Sequence, residues 1–337
     1  MKGAYMKKRT LLFFTSTLLM LSASCEARNG GVRATENETE AVMNQTGFSK
    51  SVPTEYMRQA TQKGSVTRLD YGSKDYAGSG AEITKTAFVY TPYGYDEDGA
   101  ERYDIIYLMH GWGGHAGEYF EMADIRNVLD NLIEKGEVAP LIAVSATFYN
   151  ERSGADFGSS VAELRAFHSD FENHLMPAVE GRFRTYAAST SDDDLKSSRG
   201  HRAFGGFSLG SVTTWLELCY DSDYISNFIP MSGSSWYYGG FGDFQIKKNV
   251  DFIESLVRKK NLSERGYFIY HAVGTNDAVK EQSLLMADEM LSRRIFTSEH
   301  YVFFQKRGGI HDFNAVQEFL YNALPMVFPP SKKVEDE

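Results

Sequence analysis

Short apolar runs rich in β-branched and aromatic residues recur along the chain, separated by polar or amphipathic stretches. Two early runs flank a glycine-rich segment and predict antiparallel edge strands over residues 65–71 and 85–90. Six later runs have the length and composition of buried strands, and they cover residues 105–109, 141–145, 204–207, 228–231, 267–273 and 301–304.

The stretches between the later runs have helical periodicity. Apolar residues recur at three-to-four-residue spacing within residues 125–132, 161–175 and 209–219, and Gly136 follows the first of these as a stop signal. The polar, Ser- and Asp-rich segment 189–200 predicts a surface loop. Strands that alternate with helices predict an α/β fold with a mostly parallel central sheet flanked by helices, as one domain over residues 51–330.

The ends of the chain depart from this pattern. Residues 1–24 contain a basic cluster, an apolar run from Leu11 to Leu21 and then small residues, which predicts an export signal too short to span a bilayer. Cys25 comes next and resembles the lipidated cysteine of a bacterial lipoprotein, although Ser22 stands where the usual signal has leucine; ordinary cleavage between Ala23 and Ala27 is the alternative. Residues 25–50 predict a flexible linker and 331–337 a polar tail.

These features predict an exported protein: an outer-membrane or cell-surface lipoprotein, or a periplasmic or secreted one. Among 337 residues, 42% are hydrophobic, which is enough for a substantial core. The net charge of -10 is spread without long acidic runs, which argues against nucleic acid and anionic membrane surfaces as main partners. Only Cys219 accompanies Cys25, so we expect no structural disulfide. No cluster of ligand-type residues predicts a metal, and we expect no cofactor.

The candidate chemistry centres on residues 206–210, which read G-F-S-L-G between a predicted strand and a predicted helix. Strand, sharp turn and helix is the setting of a nucleophile elbow, in which the serine adopts a strained conformation and small neighbours avoid collisions. Ser208 is therefore the candidate nucleophile. A serine nucleophile needs a base, an acid to orient that base, and donors for the oxyanion.

Two later residues satisfy the order Ser, acid, His that this topology requires. Asp277 follows the strand 267–273, and His311 follows the strand 301–304, so both are expected at the carboxyl edge of the sheet. Taken alone, Asp277 also fits a helix N-cap or turn, and His311 a loop histidine. His115 competes as base but precedes the serine, and Asp312 competes as acid but adjoins the histidine.

The oxyanion donors are expected to be backbone amides. One is the amide of Leu209, directly after the nucleophile. The other comes from the glycine-rich turn 110–114, which follows the strand 105–109; we assign it to Trp112, with Gly111 as the alternative. His110 is interpreted as a structural residue that holds this turn.

With these residues, the chain resembles carbohydrate esterase family one, the esterase D-like α/β hydrolases that include feruloyl esterases and acetyl xylan esterases. The resemblance covers about residues 65–325 and rests on the stretch 103–111, the elbow, the G-T-N-D of 274–277 and the G-G-I-H-D-F-N of 308–314. It implies an α/β-hydrolase fold and a Ser208, Asp277, His311 triad. Ser211 and Ile310 stand where the family more often has glycine, which affects packing near the site more than its chemistry.

Aromatic residues follow several strand ends and provide a candidate substrate surface. We expect Trp112, Phe207, Trp236, Tyr237 and Phe148 to bind substrate, since such rings stack on sugars or phenolic acyl groups. The other interpretation of the loop 232–241 is that its aromatics plug the core.

The predicted function is hydrolysis of feruloyl (hydroxycinnamoyl) esters on plant cell-wall arabinoxylan through an acyl-enzyme. Alternatives within enzymes are an acetyl xylan esterase and a hydrolase of siderophore or other small acyl esters. An alternative of another class is a non-catalytic glycan-binding lipoprotein. Lipidation of Cys25 would attach the protein to a membrane.

Overall fold

The computed structural model describes residues 45–122, 125–150 and 156–330. The predicted signal 1–24, Cys25, most of the predicted linker 25–50 and the tail 331–337 lie outside these ranges.

A mostly parallel sheet runs through the described part of the chain. Its nine strands are β1 (Thr46–Phe48), β2 (Ser65–Lys74), β3 (Glu82–Thr91), β4 (Asp104–Met109), β5 (Leu141–Ala146), β6 (Arg202–Phe207), β7 (Asn227–Met231), β8 (Phe268–Gly274) and β9 (Tyr301–Lys306). The spatial order is β1-β9-β8-β7-β6-β4-β5-β3-β2. Among these strands, β2 pairs antiparallel with β3 and β3 with β5, while the other pairings are parallel. All eight predicted strands are present, and the predicted fold class is confirmed.

Helices cover both faces of this sheet. The described helices are α1 (Glu118–Glu121), α2 (Ile125–Glu134), α3 (Phe157–Asp170), a π-helical segment (Phe171–Leu175), α4 (Met176–Glu180), α5 (Asp192–Ser197), α6 (Leu209–Asp221), α7 (Ile246–Lys259), α8 (Leu262–Arg265), α9 (Lys280–Leu291) and α10 (Phe313–Val327). The apolar sides of α3, α6, α7 and α9 share one core with one sheet face, and those of α2 and α10 share a second core with the other. Because both faces are covered, the central strands are buried along their length, which explains their continuous apolar sequence.

Two predictions of irregular structure need correction. The fold begins before Ser51, because β1 pairs with β9 and the Gln45 side chain donates to the carbonyls of Phe296 and Tyr301. The segment 189–200 is not wholly a loop, because α5 forms within it and its N-cap Ser191 accepts a hydrogen bond from the Asp194 amide. Local capping, which apolar periodicity does not report, stabilises this short helix.

A buried ion pair fixes the start of the strand that leads to Ser208. Arg202, the first residue of β6, donates through Nε and a terminal nitrogen to the two carboxylate oxygens of Glu180, at 2.6 and 2.8 Å. Both side chains are almost inaccessible to solvent. Buried charges are tolerated only when they are paired and hydrogen-bonded, so this bidentate contact anchors β6 against the end of α4.

Candidate active site

Ser208 occupies the turn between β6 and α6 in a strained backbone conformation. Its φ of 60° and ψ of -117° lie outside the regions that L-residues ordinarily adopt. The turn is held in place because the Ser208 amide donates to the carbonyl of Met231, at the end of β7, over 3.0 Å. The predicted strained turn is confirmed, and such strain persists only where the surrounding structure enforces it.

The glycines on each side of Ser208 have no room for a side chain. A Cβ at Gly206 would lie 2.3 Å from the carbonyl oxygen of Gly210, and a Cβ at Gly210 would lie 2.0 Å from that of Met109. These close approaches bring α6 down onto the ends of β4 and β6. The elbow sequence therefore has a steric reason at both glycine positions.

Asp277 and His311 come together beside this turn. Nδ1 of His311 lies 2.9 and 3.0 Å from the two carboxylate oxygens of Asp277, although 34 residues separate them in sequence. Asp277 follows β8 and His311 follows β9, and these parallel neighbours end at the same sheet edge as β6. The structure thus brings the two side chains into contact, as the strand order predicts.

The loops that carry the two residues are tied to each other through the backbone. The Asn276 amide donates to the Gly309 carbonyl at 2.9 Å, and the Gly308 amide donates to Oγ1 of Thr275 at 2.8 Å. A Cβ at Gly274 would lie 2.2 Å from the Gly309 carbonyl oxygen, so glycine is needed where the loops touch. This contact fixes the acid and the histidine as one unit.

The hydrogen bonding also defines the charge and tautomer of the pair. Burial by itself raises the pKa of Asp277, but hydrogen bonds from His311 and the Val279 amide outweigh it, so the pKa lies below its ordinary value. Asp277 is therefore an anion that only accepts, and Nδ1 of His311 must carry the proton. In the neutral imidazole, Nε2 is then free to accept a proton.

The two competing residues have other roles. His115 is exposed, accepts a hydrogen bond from the Gly117 amide through Nδ1 and lies 3.5 Å from Glu121. Asp312 caps α10 by accepting from the Ala315 amide at 3.0 Å. The partners in these contacts are Gly117, Glu121 and Ala315, and none of them is Asp277 or His311.

The glycine-rich turn after β4 borders the nucleophile. A Cβ at Gly111 would lie 3.1 Å from Cβ of Ser208 and 3.6 Å from its Oγ. The Gly111 carbonyl accepts from Nδ1 of the buried His110 at 2.7 Å and from the Gly114 amide at 3.2 Å. Because the peptide is planar and trans, fixing this carbonyl also fixes the direction of the Trp112 N–H.

Leu209 begins α6, where the first amides of a helix have no intrahelical acceptor. The amides of Leu209 and Trp112 therefore remain our prediction for the oxyanion donors. The Gly111 amide is the alternative to that of Trp112. His110 holds the turn as interpreted from the sequence, since its Nε2 also accepts from the Thr147 hydroxyl at 2.7 Å.

Two buried histidines predict a loss of stability in mild acid. Burial lowers the pKa of His110 to about 4 and that of His271 to about 3. The unfolded chain binds these protons near the ordinary histidine pKa of about 6.5, so the stability is complete above that pH and falls as pH drops towards 4. We expect the free energy of unfolding in urea to fall by about 3 kcal/mol for each such histidine between pH 7 and 4.

The slope of unfolding free energy against pH isolates this effect. His271→Gln should flatten the slope, whatever it does to the absolute stability. Equal slopes in the wild type and His271→Gln would contradict the buried neutral state of His271.

The predicted substrate-binding aromatics separate into exposed and buried groups. Trp112 is 56% exposed at the mouth of the site, but Trp236 is only 2% exposed and its indole N–H donates to Gln282 at 3.1 Å. Phe148 is equally buried and packs on His110, with ring centroids 4.7 Å apart. Trp236 and Phe148 were expected to bind substrate. That prediction is wrong, because both side chains are buried in the core.

Phe207 and Tyr237 also pack against protein. The Phe207 ring lies on the His311 imidazole, with centroids 4.4 Å apart, and is buried there. Tyr237 stacks on Phe252 of α7 at 4.2 Å and is half-buried. Phe207 is thus placed to support the histidine, and Tyr237 faces α7.

Sequence reasoning missed Phe157 as a neighbour of Trp112. Phe157, the first residue of α3, contacts Trp112 edge to face at 5.6 Å, and Phe241 contacts Phe157 at 5.8 Å while staying 68% exposed. We call Trp112, Phe157 and Phe241 the aromatic rim. Phe241 lay in the aromatic loop singled out from the sequence, but nothing in the spacing of Phe157 indicates that it reaches Trp112.

Within residues 45–122, 125–150 and 156–330, no group of three or more histidine, cysteine, aspartate or glutamate side chains is arranged to hold a metal ion. The helices in these ranges are too short or too polar to cross a membrane.

The sheet order, the strained serine after β6 and the acid–histidine pair after β8 and β9 define the class of α/β hydrolases. The chain belongs to the esterase family described as "Putative esterase", whose model matches residues 81–325, and it is a carboxylic ester hydrolase. The resemblance to carbohydrate esterase family one is confirmed.

Relatives by sequence and by structure agree with this family. The chain is 32% identical over 286 residues to endo-1,4-beta-xylanase Y of Acetivibrio thermocellus, covering 83% of this chain and 24% of that protein. It is 32% identical over 137 residues to an endo-1,4-beta-xylanase/feruloyl esterase of Xylanibacter ruminicola, covering 39% of this chain and 17% of that protein. The chain therefore spans a quarter or less of the length of each of these two relatives.

The solved structure of a feruloyl esterase module from Clostridium thermocellum, complexed with sinapinate, is 30% identical to the chain. It matches with a TM-score of 0.71 and covers 83% of this chain and 93% of that one. A ferulic acid esterase from Anaeromyces mucronatus matches with a TM-score of 0.65 at 19% identity, over 82% of this chain and 96% of that one. The second likeness shows the shared fold.

Proposed function

We propose that this esterase hydrolyses hydroxycinnamoyl esters, such as feruloyl groups on plant cell-wall arabinoxylan, through an acyl-enzyme on Ser208. The observation that carries the proposal is the Asp277–His311 pair beside the strained Ser208, with the aromatic rim, of which Trp112 and Phe241 are exposed, at the mouth of the same site. The relatives named as feruloyl esterases or xylanases support the choice of substrate. Membership of the esterase family favours this reading over a non-catalytic glycan-binding lipoprotein.

The mechanism follows from the tautomer of His311. Nε2 takes the hydroxyl proton of Ser208 as Oγ forms a bond to the ester carbonyl carbon, and Asp277 stabilises the imidazolium that results. The amides of Leu209 and Trp112 donate to the oxyanion. The bond to the sugar oxygen then breaks, and that oxygen receives the proton from Nε2. Water, deprotonated by Nε2, attacks the acyl carbon; the bond to Oγ of Ser208 then breaks, Oγ receives the proton from Nε2, and the hydroxycinnamate leaves.

The test is release of ferulate and of acetate from arabinoxylan by purified residues 26–337, with Ser208→Ala as the control. Ferulate released only by the wild type is the expected result. Acetate alone would shift the substrate to acetylated xylan with the same catalytic residues. Cleavage of small aryl acetates with neither product from xylan would reject the polysaccharide.

Trp112 is predicted to separate aromatic from small acyl groups. In Trp112→Ala we expect KM for methyl ferulate to rise about tenfold, the scale of one aromatic contact. The value of kcat/KM for p-nitrophenyl acetate should change less than twofold, because the substitution keeps the backbone amide. Tyr93→Ala, an exposed aromatic after the antiparallel strand β3, is the control. Equal losses on both substrates would contradict a role of this ring in acyl recognition.

We further propose export with lipid attachment through Cys25, which rests on the sequence of residues 1–25. Labelling of the expressed protein with radioactive palmitate tests it. The label should be present in the wild type and absent from Cys25→Ser, and its absence from both would leave ordinary signal cleavage.

A further inference from the structure

Ser232 has a backbone conformation that its side chain disfavours. It follows β7 directly, has φ of 59° and is 1% exposed. Its amide donates to the Ala272 carbonyl in β8 at 2.8 Å, which fixes this conformation. Glycine would adopt the same φ without strain, so a serine here costs stability unless its hydroxyl is used.

The hydroxyl of Ser232 is buried and makes no hydrogen bond within the described ranges. It is one of the groups that lower the pKa of the Asp277 carboxylate, which places it near the candidate catalytic acid. Asp277 already accepts from His311 and from the Val279 amide at 2.8 Å. A carboxylate has about four acceptor sites, so a third donor fits.

Gly233 connects the same segment to the nucleophile. A Cβ at Gly233 would lie 3.2 Å from the carbonyl oxygen of Ser208 and 2.9 Å from Oγ of Ser211. The Gly233 carbonyl accepts from Nε2 of His271 at 3.1 Å and from the Ser283 hydroxyl at 3.2 Å. The Ser232–Gly233 segment is therefore fixed between the nucleophile turn on one side and β8 and α9, the two elements that flank Asp277, on the other.

We propose that Ser232 is a positioning residue for catalysis, whose hydroxyl donates to the carboxylate of Asp277 and holds it in the orientation that Nδ1 of His311 requires. The inference rests on the proposed catalytic roles of Ser208, Asp277 and His311. Ser232 acts through Asp277 and does not touch the substrate. Its strained φ is the structural cost of placing a hydroxyl where a glycine would leave none.

Three variants of the purified protein test this role, with methyl ferulate and p-nitrophenyl acetate as substrates. Ser232→Gly removes both the hydroxyl and the strain, and Ser232→Ala removes the hydroxyl and keeps the strain. Ser234→Ala is the matched control, because this buried hydroxyl in the same loop donates to Gln282, at 3.1 Å.

In both Ser232 variants we expect kcat to fall about tenfold on both substrates with KM within twofold, the scale of one hydrogen bond to a charged group. The Tm of Ser232→Gly should equal or exceed that of the wild type, while the Tm of Ser232→Ala should not. The acid limb of the pH profile of kcat should move to higher pH, since a carboxylate that loses a donor attracts the proton on Nδ1 more strongly and so favours the imidazolium of His311. Ser234→Ala should keep the kcat and pH profile of the wild type.

A kcat of Ser232→Gly within twofold of the wild type at every pH would overturn the proposal. So would a loss of activity in which kcat follows Tm across the three variants, which would mean a structural role only. Asp277→Asn in the same assay distinguishes a failure of the role of Ser232 from a failure of the proposed catalytic roles on which it rests. If Asp277→Asn is inactive and Ser232→Gly is not, only the role of Ser232 fails; if Asp277→Asn is active, the catalytic roles fail and the proposal with them.

Discussion

Asp277→Asn is expected to lower kcat about 10⁴-fold, as loss of the acid does in other serine triads, while the fold stays intact. An amide at this position offers one acceptor and one donor in place of two acceptors. Its NH₂ group can face Nδ1 of His311, which favours the tautomer with the proton on Nε2, where it cannot accept from Ser208. Steady-state kinetics with methyl ferulate would measure the loss.

Asp312→Asn is the matched control for this experiment. Asp312 adjoins His311 in sequence and caps α10, and asparagine caps a helix about as well as aspartate. We expect its kcat to remain within twofold of the wild type and its Tm to change little. If Asp312→Asn were the inactive variant and Asp277→Asn the active one, the assignment of the acid would be reversed.

Gly210→Ala is expected to abolish folding to the native state. Its Cβ would lie 2.0 Å from the Met109 carbonyl oxygen and 2.7 Å from that of His110, and both contacts are with backbone that belongs to β4 and the turn after it. No rotamer change relieves such a collision, so α6 would have to move away from the sheet. Overpacking typically costs about 1–3 kcal/mol and occasionally more, and we expect the larger cost here because no flexible side chain can give way.

Soluble yield and circular dichroism would measure this loss, with Gly72→Ala as the control. Gly72 lies in the edge strand β2, and a Cβ there would meet no atom within 4 Å. We expect Gly72→Ala to express, fold and cleave esters as the wild type does. Recovery of soluble, active Gly210→Ala would show that the helix after the nucleophile can shift without loss of the site.

The sheet could be predicted from the sequence because strands that are buried on both faces have continuous apolar sequences. The apolar runs of β4 to β9 follow directly from helices covering both sides of a parallel sheet. β1 escaped notice because Thr46–Phe48 is short and mixed in polarity, and it is held by contacts with residues about 250 positions away. The local sequence therefore does not predict such a strand.

In the candidate site, too, features with a local sequence signal could be predicted and features that depend on distant residues could not. The contact of Asp277 with His311 was predictable because each follows a strand, and parallel strands end at one edge. The burial of Trp236 was not, since it depends on Gln282, 46 residues further on in α9. The strain at Ser232 was equally hidden, because serine has no sequence signal for a positive φ.

The directions of β1 and α10 determine on which side of the described domain its two ends lie. Gln45 bonds to Tyr301, the first residue of β9, and β1 then runs parallel to β9 towards the carboxyl edge. α10 begins beside His311 and returns, so that Phe328 bonds to Ala139 just before β5 starts. Both ends of the described domain therefore lie at the edge of the sheet opposite Ser208. A tether or a solid support attached at either end would leave Ser208 and the aromatic rim facing outward, away from the point of attachment.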